Sequence, residues 1–122
     1  MKHIPLFVML LVLMACSQTQ VSHTDTAKIV VESFYEKKNT TLKKHTTDDS
    51  YASFMSIQNV MAPGDPEVSN SNFKVLNETS DGETAWVQFS SAYAEKPETF
   101  KLVMKDGKWL VTEKGLKEKS PF

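Results

Sequence analysis

The sequence contains no arginine and a single cysteine, and each scarcity excludes a class of function. All 14 basic residues are lysine, and the 122-residue chain has a formal net charge of −1. Because arginine's planar fork is the usual means of contacting phosphates and base edges, we expect no nucleic-acid partner. The single cysteine, Cys16, excludes an intrachain disulfide and a multi-cysteine zinc site. We therefore expect no metal, and nothing in the sequence indicates a cofactor.

Residues 1–15 have the pattern of a secretory signal peptide. A basic start precedes an apolar run from Ile4 to Ala15, which is too short for a spanning helix of about 20 residues. The run ends in Leu13-Met14-Ala15-Cys16, which resembles the bacterial lipobox, and that resemblance implies cleavage before Cys16 and acylation of its sulfur with palmitate-like chains. An ordinary secreted protein with a stray cysteine is the alternative.

The lipobox resemblance also implies a location. We expect a lipid-anchored protein of the bacterial cell envelope, bound to the membrane through acylated Cys16. In proteobacterial lipoproteins an aspartate after the cysteine is the inner-membrane retention signal, so Ser17 favours the outer membrane, at its periplasmic face or its surface. The polar residues up to Thr24 are predicted to form a flexible tether (16–24), in which His23 is solvated.

Three helices are predicted after the tether. Thr24 or Asp25 should cap the first, which ends near Lys38. A short second helix covers 41–46, and the basic cluster 43–45 is expected to be a solvated face. A third helix, capped by 48–50, runs from 51 to about 61, with an edge strand as the alternative for part of it. The predicted apolar faces of the first and third helices comprise Ala27, Val30, Val31, Phe34 and Tyr35, and then Tyr51, Phe54, Met55 and Ile57 or Gln58.

The stretch from Phe73 to Thr112 is predicted to form four antiparallel strands, after a loop at 62–72. Apolar residues alternate with polar ones in this stretch, which is typical of strands with one buried face. Turns are expected at 80–82, at 95–97 and at Asp106-Gly107. The buried face should include Phe73, Val75, Ala85, Val87, Phe89, Phe100, Leu102, Met104, Trp109 and Val111, whereas Trp86 falls on the wet face.

This order of elements, closing on Asp106-Gly107-Lys108-Trp109, resembles the nuclear-transport-factor-2-like superfamily. More closely, the chain is similar to small bacterial lipoproteins of unknown function in a lumazine-binding-like branch of it. The predicted fold class is therefore α+β, with N-terminal helices packed on a curved four-stranded β-meander in the cone-shaped, cystatin-like manner. The α+β domain should occupy 25–113, and the C-terminal tail 114–122. The resemblance implies a cavity between helices and sheet, but no catalytic residues.

The sequence favours binding over catalysis. The acidic residues fall mainly at predicted caps, turns and wet faces, with Glu32 and Glu36 on the wet side of the first helix. No catalytic triad, paired carboxylates or phosphate loop is visible. His45 could form an acid–base pair with Asp48 or Asp49, but a solvated helix end is the better explanation of why these residues occur together. We expect a non-catalytic module for a small hydrophobic ligand or an envelope partner. The candidate pocket comprises Phe34, Tyr35, Tyr51, Phe54, Met55, Phe89, Tyr93 and Trp109, although a filled core is the plainer interpretation of these residues.

Two other interpretations remain open from the sequence. Trp86 on the wet face is a candidate contact for a protein partner or a homodimer packed sheet to sheet, or it lies against the tail after Thr112. An isomerase-like enzyme is retained mainly because the resembled fold permits one.

Overall fold

The computed structural model describes residues 21–61, 70–113 and 119–122. The predicted signal peptide, Cys16, most of the predicted loop and part of the tail lie outside them. The helices are α1 (His23–Tyr35), α2 (Asn39–Lys44) and α3 (Asp48–Met61), and the strands are β1 (Lys74–Ser80), β2 (Thr84–Ser91), β3 (Ala94–Lys105) and β4 (Lys108–Glu113). The strands form one antiparallel sheet in the order β1-β2-β3-β4. The predicted helices followed by a four-stranded meander are confirmed.

Helix α1 begins two residues earlier than the sequence suggested. Ser22, and not Thr24 or Asp25, is the N-cap, because its Oγ accepts a hydrogen bond from the backbone N–H of Asp25 at 3.1 Å. The Ser22 carbonyl also accepts from the backbone N–H and the hydroxyl of Thr26. The helix ends at Tyr35 and not at Lys38. The first described helix therefore begins directly after Ser22.

The two later helices are also displaced from their predicted bounds. Helix α2 begins at Asn39 and ends at Lys44, and it buries Leu42. Helix α3 starts at Asp48, because Thr47 accepts hydrogen bonds at its start from the backbone N–H groups of Ser50 and Tyr51. It continues to Met61, so the edge-strand alternative was wrong. Within the described residues, no helix combines the length and hydropathy needed to cross a membrane.

The core lies between the helices and one face of the sheet, which we call the inner face. Alternate residues of β2 and β3 point to it, as predicted. Its buried apolar residues are Ala27, Val30, Val31, Phe34, Leu42, Phe54, Ala85, Val87, Phe89, Phe100, Leu102, Trp109 and Val111. The segment between α2 and α3 runs along the free edge of β4, where the backbones of His45 and Thr47 hydrogen-bond to Val111.

Two of the three predicted turns are where the sequence placed them. Asp106 and Gly107, with φ values of 51° and 78°, turn the chain from β3 to β4, as a two-residue hairpin loop with positive φ at both positions requires. The middle turn was predicted wrongly, because the chain turns at 92–93. Pro97 lies within β3, beside a register shift and beyond the pairing with β4, where a strand tolerates a missing N–H.

Candidate functional site

A stacked pair of tyrosines lies at the end of the sheet where β2 turns into β3. Tyr35 is the last residue of α1 and Tyr93 is in the turn. Their ring centroids are 4.4 Å apart and their planes differ by 10°. The ring of Phe34 meets that of Tyr35 edge-on at 4.9 Å. We call Tyr35 and Tyr93 the tyrosine pair. Both side chains are half-buried and lie between the core and the protein surface.

Carboxylates lie around the tyrosine pair. The Tyr93 hydroxyl donates to Oε2 of Glu36 at 3.5 Å, and Glu36 also forms an ion pair with Lys38 at 3.4 Å. One turn earlier on α1, Glu32 accepts a hydrogen bond from the hydroxyl of Ser71 at 2.5 Å. Glu32 was predicted on the wet side of the helix, but it is half-buried, because the segment before β1 packs over it.

Burial and nearby negative charge both raise the pKa values of the two tyrosine hydroxyls. Burial raises the pKa of Tyr35 above its ordinary value, and the charge of Glu98 and the neighbouring Tyr93 raise it further. The pKa of Tyr93 is raised by burial, then by the charges of Glu36 and Glu32 and by its hydrogen bond to Glu36. Both side chains are therefore neutral phenols at neutral pH. Such groups donate hydrogen bonds but are poorly suited to act as a base or a nucleophile.

Three other predicted pocket residues form the core behind the tyrosine pair. The ring of Phe34 lies 5.4 Å from that of Phe54, and Phe54 meets Phe100 edge-on at 5.9 Å. Phe89 packs between Phe73 and Phe100, with both ring centroids 4.9 Å away. These aromatic side chains contact one another, so they support the tyrosine pair from behind.

The structure does not bring the remaining pocket candidates to one place. Trp109 pairs with Met104 at the far end of β3, on the order of 30 Å from the tyrosine pair at about 3.3 Å per strand residue. Tyr51 and Met55 are half-buried on α3, where the Nζ of Lys43 lies 5.8 Å from the centroid of the Tyr51 ring.

Histidine 23 was expected to be solvated in the tether, and this was wrong. It is the first residue of α1, and its side chain is only 18% exposed. Its Nε2 lies 3.1 Å from Oε1 of Glu78, and its ring meets that of Trp109 edge-on at 5.5 Å. The start of α1 is thereby fixed to strands β1 and β4.

Trp86 lies on the outer face of the sheet, as predicted. It is half-exposed, and the Nζ of Lys101, its partner on β3, lies 5.8 Å from the ring centroid. The alternative contact with the tail after Thr112 falls in part on residues 114–118, which are outside the described part of the chain.

The basic cluster at 43–45 is partly solvated. Lys43 and Lys44 are exposed, whereas His45 is half-buried and its Nδ1 lies 2.8 Å from the carbonyl oxygen of Thr41. That bond is local to the end of α2. In the part of the chain that the structure describes, no group of three histidine, cysteine, aspartate or glutamate residues could hold a metal ion.

Comparison with known proteins supports the fold. Neither protein-family models nor curated protein sequences match the chain. Among solved structures, the chain is similar to a protein from Campylobacter jejuni that is described provisionally as an NTF2-like transpeptidase, with a TM-score of 0.55 and 18% identity, over 74% of this chain and 96% of that one. The chain therefore has a nuclear-transport-factor-2-like (NTF2-like) fold.

Proposed function

We propose that this chain is a lipid-anchored protein of the bacterial envelope whose NTF2-like domain is a non-catalytic binding module. Its ligand is a small, largely apolar molecule that carries a hydrogen-bond acceptor, and an envelope protein is the alternative partner. One observation carries the binding proposal: the tyrosine pair is half-buried against the aromatic core and keeps its hydroxyls neutral. The rings offer apolar surface, and the hydroxyl of Tyr35 offers a donor at its rim, since the hydroxyl of Tyr93 already donates to Glu36.

The anchoring proposal rests on the sequence around Cys16 and on where the fold begins. Leu13-Met14-Ala15-Cys16 has the lipobox pattern, and the N-cap of α1 is Ser22. Six residues after Cys16, even fully extended, reach about 20 Å. An acylated Cys16 would therefore hold the domain close to the membrane surface, and several acyl chains would hold it there firmly.

The proposal of a non-catalytic role rests on the chemistry of the same site. A tyrosine with a raised pKa is less available as an anion, whereas a catalytic base needs a pKa near the working pH. Glu36 already accepts from Tyr93 and pairs with Lys38, and Glu32 accepts from Ser71. These contacts favour fixed recognition groups over groups that exchange protons with a substrate.

Anchoring is tested by labelling with a fatty acid. We expect the full chain, produced in a bacterial host fed with labelled palmitate, to carry the label and to fractionate with membranes. The Cys16→Ser variant should carry no label and should retain residues 1–15, with Ser17→Ala as the matched control that is still labelled. An unlabelled wild-type chain outside the membrane fraction would contradict anchoring.

Ligand binding is tested with a neutral apolar fluorescent probe, N-phenylnaphthylamine, titrated into the mature protein. Replacing Tyr93 by alanine removes the outer ring, and we expect about tenfold weaker probe binding, the usual effect of losing one aromatic contact. The Tyr93→Phe variant keeps the ring and should bind the probe normally. Trp86→Phe on the outer face is the control. Equal probe binding by wild type and Tyr93→Ala would refute the assignment of the site.

A further inference from the structure

The outer face of the sheet combines apolar and basic side chains. Backbone register places Trp86 beside Lys101, and Val103 beside both Thr84 and Leu110. The next outer pair is Lys105 with Lys108, both exposed. Three apolar residues and three lysines therefore alternate across the outer face of β2, β3 and β4, which we call the lysine–tryptophan face (Trp86, Lys101, Val103, Lys105, Lys108 and Leu110). The described helices pack on the opposite side.

Most of the acidic residues near this face lie in the turns at its border rather than on the face itself. Glu113 is the partner of Lys101 at the end of β4, and Asp81 and Asp106 lie in the two turns. The carboxylate of Asp81 accepts hydrogen bonds from the backbone N–H groups of Glu83 and Thr84, which lower its pKa and hold it within its own turn. By register the face therefore carries three lysines and one acidic residue, and further acidic residues lie in the turns that border it.

The chain enters the domain at the same end of the sheet. His23, the first residue of α1, contacts Glu78 near the end of β1 and Trp109 at the start of β4. Trp109 follows Lys108 directly. Lys108 and Trp109 point to opposite faces of the sheet. Val21 and Ser22, which precede α1, therefore lie on the inner side, at the same end of the sheet as Lys105 and Lys108.

We propose that the lysine–tryptophan face docks on an anionic lipid surface. This proposal rests on the proposed anchoring through Cys16, which holds the face within reach of lipid. Lysines near a membrane are attracted by anionic headgroups, and tryptophan is favoured at the headgroup level, where its ring is partly apolar and partly hydrated. A second copy of the chain is a poorer occupant, because two such faces packed together would set lysines against lysines.

The experiment uses the mature protein as the bacterial host processes it, mixed with detergent-solubilised lipids and reconstituted by detergent removal. One set of vesicles contains phosphatidylglycerol and phosphatidylcholine, and the other contains phosphatidylcholine alone. Both carry brominated acyl chains, which quench tryptophan on contact. The Trp86 signal is the difference between wild type and Trp86→Phe, since both proteins contain Trp109. We expect quenching of Trp86 in the anionic vesicles, and its loss at high salt, because salt screens attraction between exposed charges.

Two triple variants with the same change in charge distinguish docking by this face from a general attraction of lysines to lipid. Replacing Lys101, Lys105 and Lys108 together by glutamine should reduce Trp86 quenching to the level in phosphatidylcholine vesicles. The control replaces three exposed lysines away from this face by glutamine and should keep the quenching: Lys28 of α1, Lys37 in the turn between α1 and α2, and Lys44 of α2. Equal loss in both triple variants would overturn the assignment to this face.

Flotation of the vesicles distinguishes failure of docking from failure of anchoring. Protein that floats with both vesicle types but shows no Trp86 quenching is anchored without docking, which overturns this proposal alone. Cross-linking of two copies through the outer face in such a sample would identify a dimer instead. Protein that floats with neither vesicle type overturns both proposals, whereas salt-sensitive flotation with anionic vesicles alone supports docking and contradicts anchoring.

Discussion

Tyr35 and Tyr93 are far apart in the sequence but stack in the fold, and the groups packed around them set the pKa values of their hydroxyls. Stacking buries part of both rings, and Glu36 and Glu98 place negative charge near the hydroxyls. Both effects penalise the phenolate. The pair is therefore an aromatic surface with neutral hydroxyls, of which that of Tyr93 already donates to Glu36.

The raised pKa values of the tyrosine pair predict a loss of stability at alkaline pH. In the unfolded chain each phenol loses its proton near the ordinary value of 10.0, but in the folded protein it holds the proton to higher pH. The stabilisation is therefore complete below about pH 10 and declines as the pH rises above it. We expect the free energy of unfolding, measured with urea, to decrease less steeply above that pH in the Tyr35→Phe/Tyr93→Phe variant. Parallel curves for the two proteins would contradict the shifts.

Side-chain environments were the least predictable part of the sequence. Tyr35 and Tyr93 were both among the candidate pocket residues, because aromatic residues flanked apolar faces. Glu32 was placed on the wet side of α1 and His23 in the tether, since neither periodicity nor composition shows contacts with distant segments. Ser71 lies in the predicted loop and Glu78 in the first predicted strand, and neither position indicates which residue of α1 it contacts.

At the scale of elements, one buried glutamine joins the three helices. The side-chain amide of Gln58 on α3 donates to the carbonyl of Phe34 on α1 at 2.9 Å and to Oδ1 of Asn39, the first residue of α2, at 3.2 Å. Gln58 is only 6% exposed. Since a buried polar group is stabilising only when its partners are in place, this contact specifies how the helices meet.

Replacing Gln58 by alanine should destabilise the domain. The change removes both hydrogen bonds and leaves a small cavity, and we expect the free energy of unfolding to fall by about 1–3 kcal/mol. The neighbouring Asn59 is exposed, so Asn59→Ala is the matched control and should change stability by less than about 0.5 kcal/mol. Urea unfolding measures both. Similar values for the two variants would show that Gln58 does not join the helices.

Element types were more predictable than element ends. Alternation around Val87 and Leu102 gave the buried face of the sheet, and Asp106-Gly107 gave the last turn, because these patterns depend on local geometry. The middle turn was misplaced because Pro97 usually interrupts a strand, whereas here it lies where β3 has no partner on the β4 side. The start of α1 was misplaced because Ser22, Thr24 and Asp25 are all good caps, and tertiary packing chooses among them.

At the scale of the whole molecule, the two ends of the domain have different roles under the proposed function. Helix α1 separates them, with His23 at one end and Tyr35 at the other, about 20 Å apart at 1.5 Å per helical residue. The anchor and the lysine–tryptophan face belong to the His23 end. The tyrosine pair would therefore face away from the membrane, toward the aqueous compartment from which a ligand or partner arrives.

The overall fold was predictable from the order of elements, and the similarity to the Campylobacter jejuni structure agrees with it. Eight candidate pocket residues were named from the sequence, but Trp109 lies at the opposite end of the sheet from Tyr93. Alternation assigns a residue to a face of the sheet, and it does not give the position along that face. The sequence therefore predicted which face of the sheet the pocket residues occupy, but not where along that face they lie.

Native mass spectrometry of the mature protein, extracted from the bacterial envelope in mild detergent, tests the account most directly. We predict a monomer whose mass exceeds that of the polypeptide by two separable amounts. The first amount is the mass of the acyl chains on Cys16, which remain after denaturation. The second is the mass of a small bound ligand, which is lost on denaturation. The Tyr35→Ala/Tyr93→Ala variant should retain the first increment and lose the second. A wild-type protein whose native mass equals its denatured mass would contradict the central claim that this domain is a binding module for a small molecule.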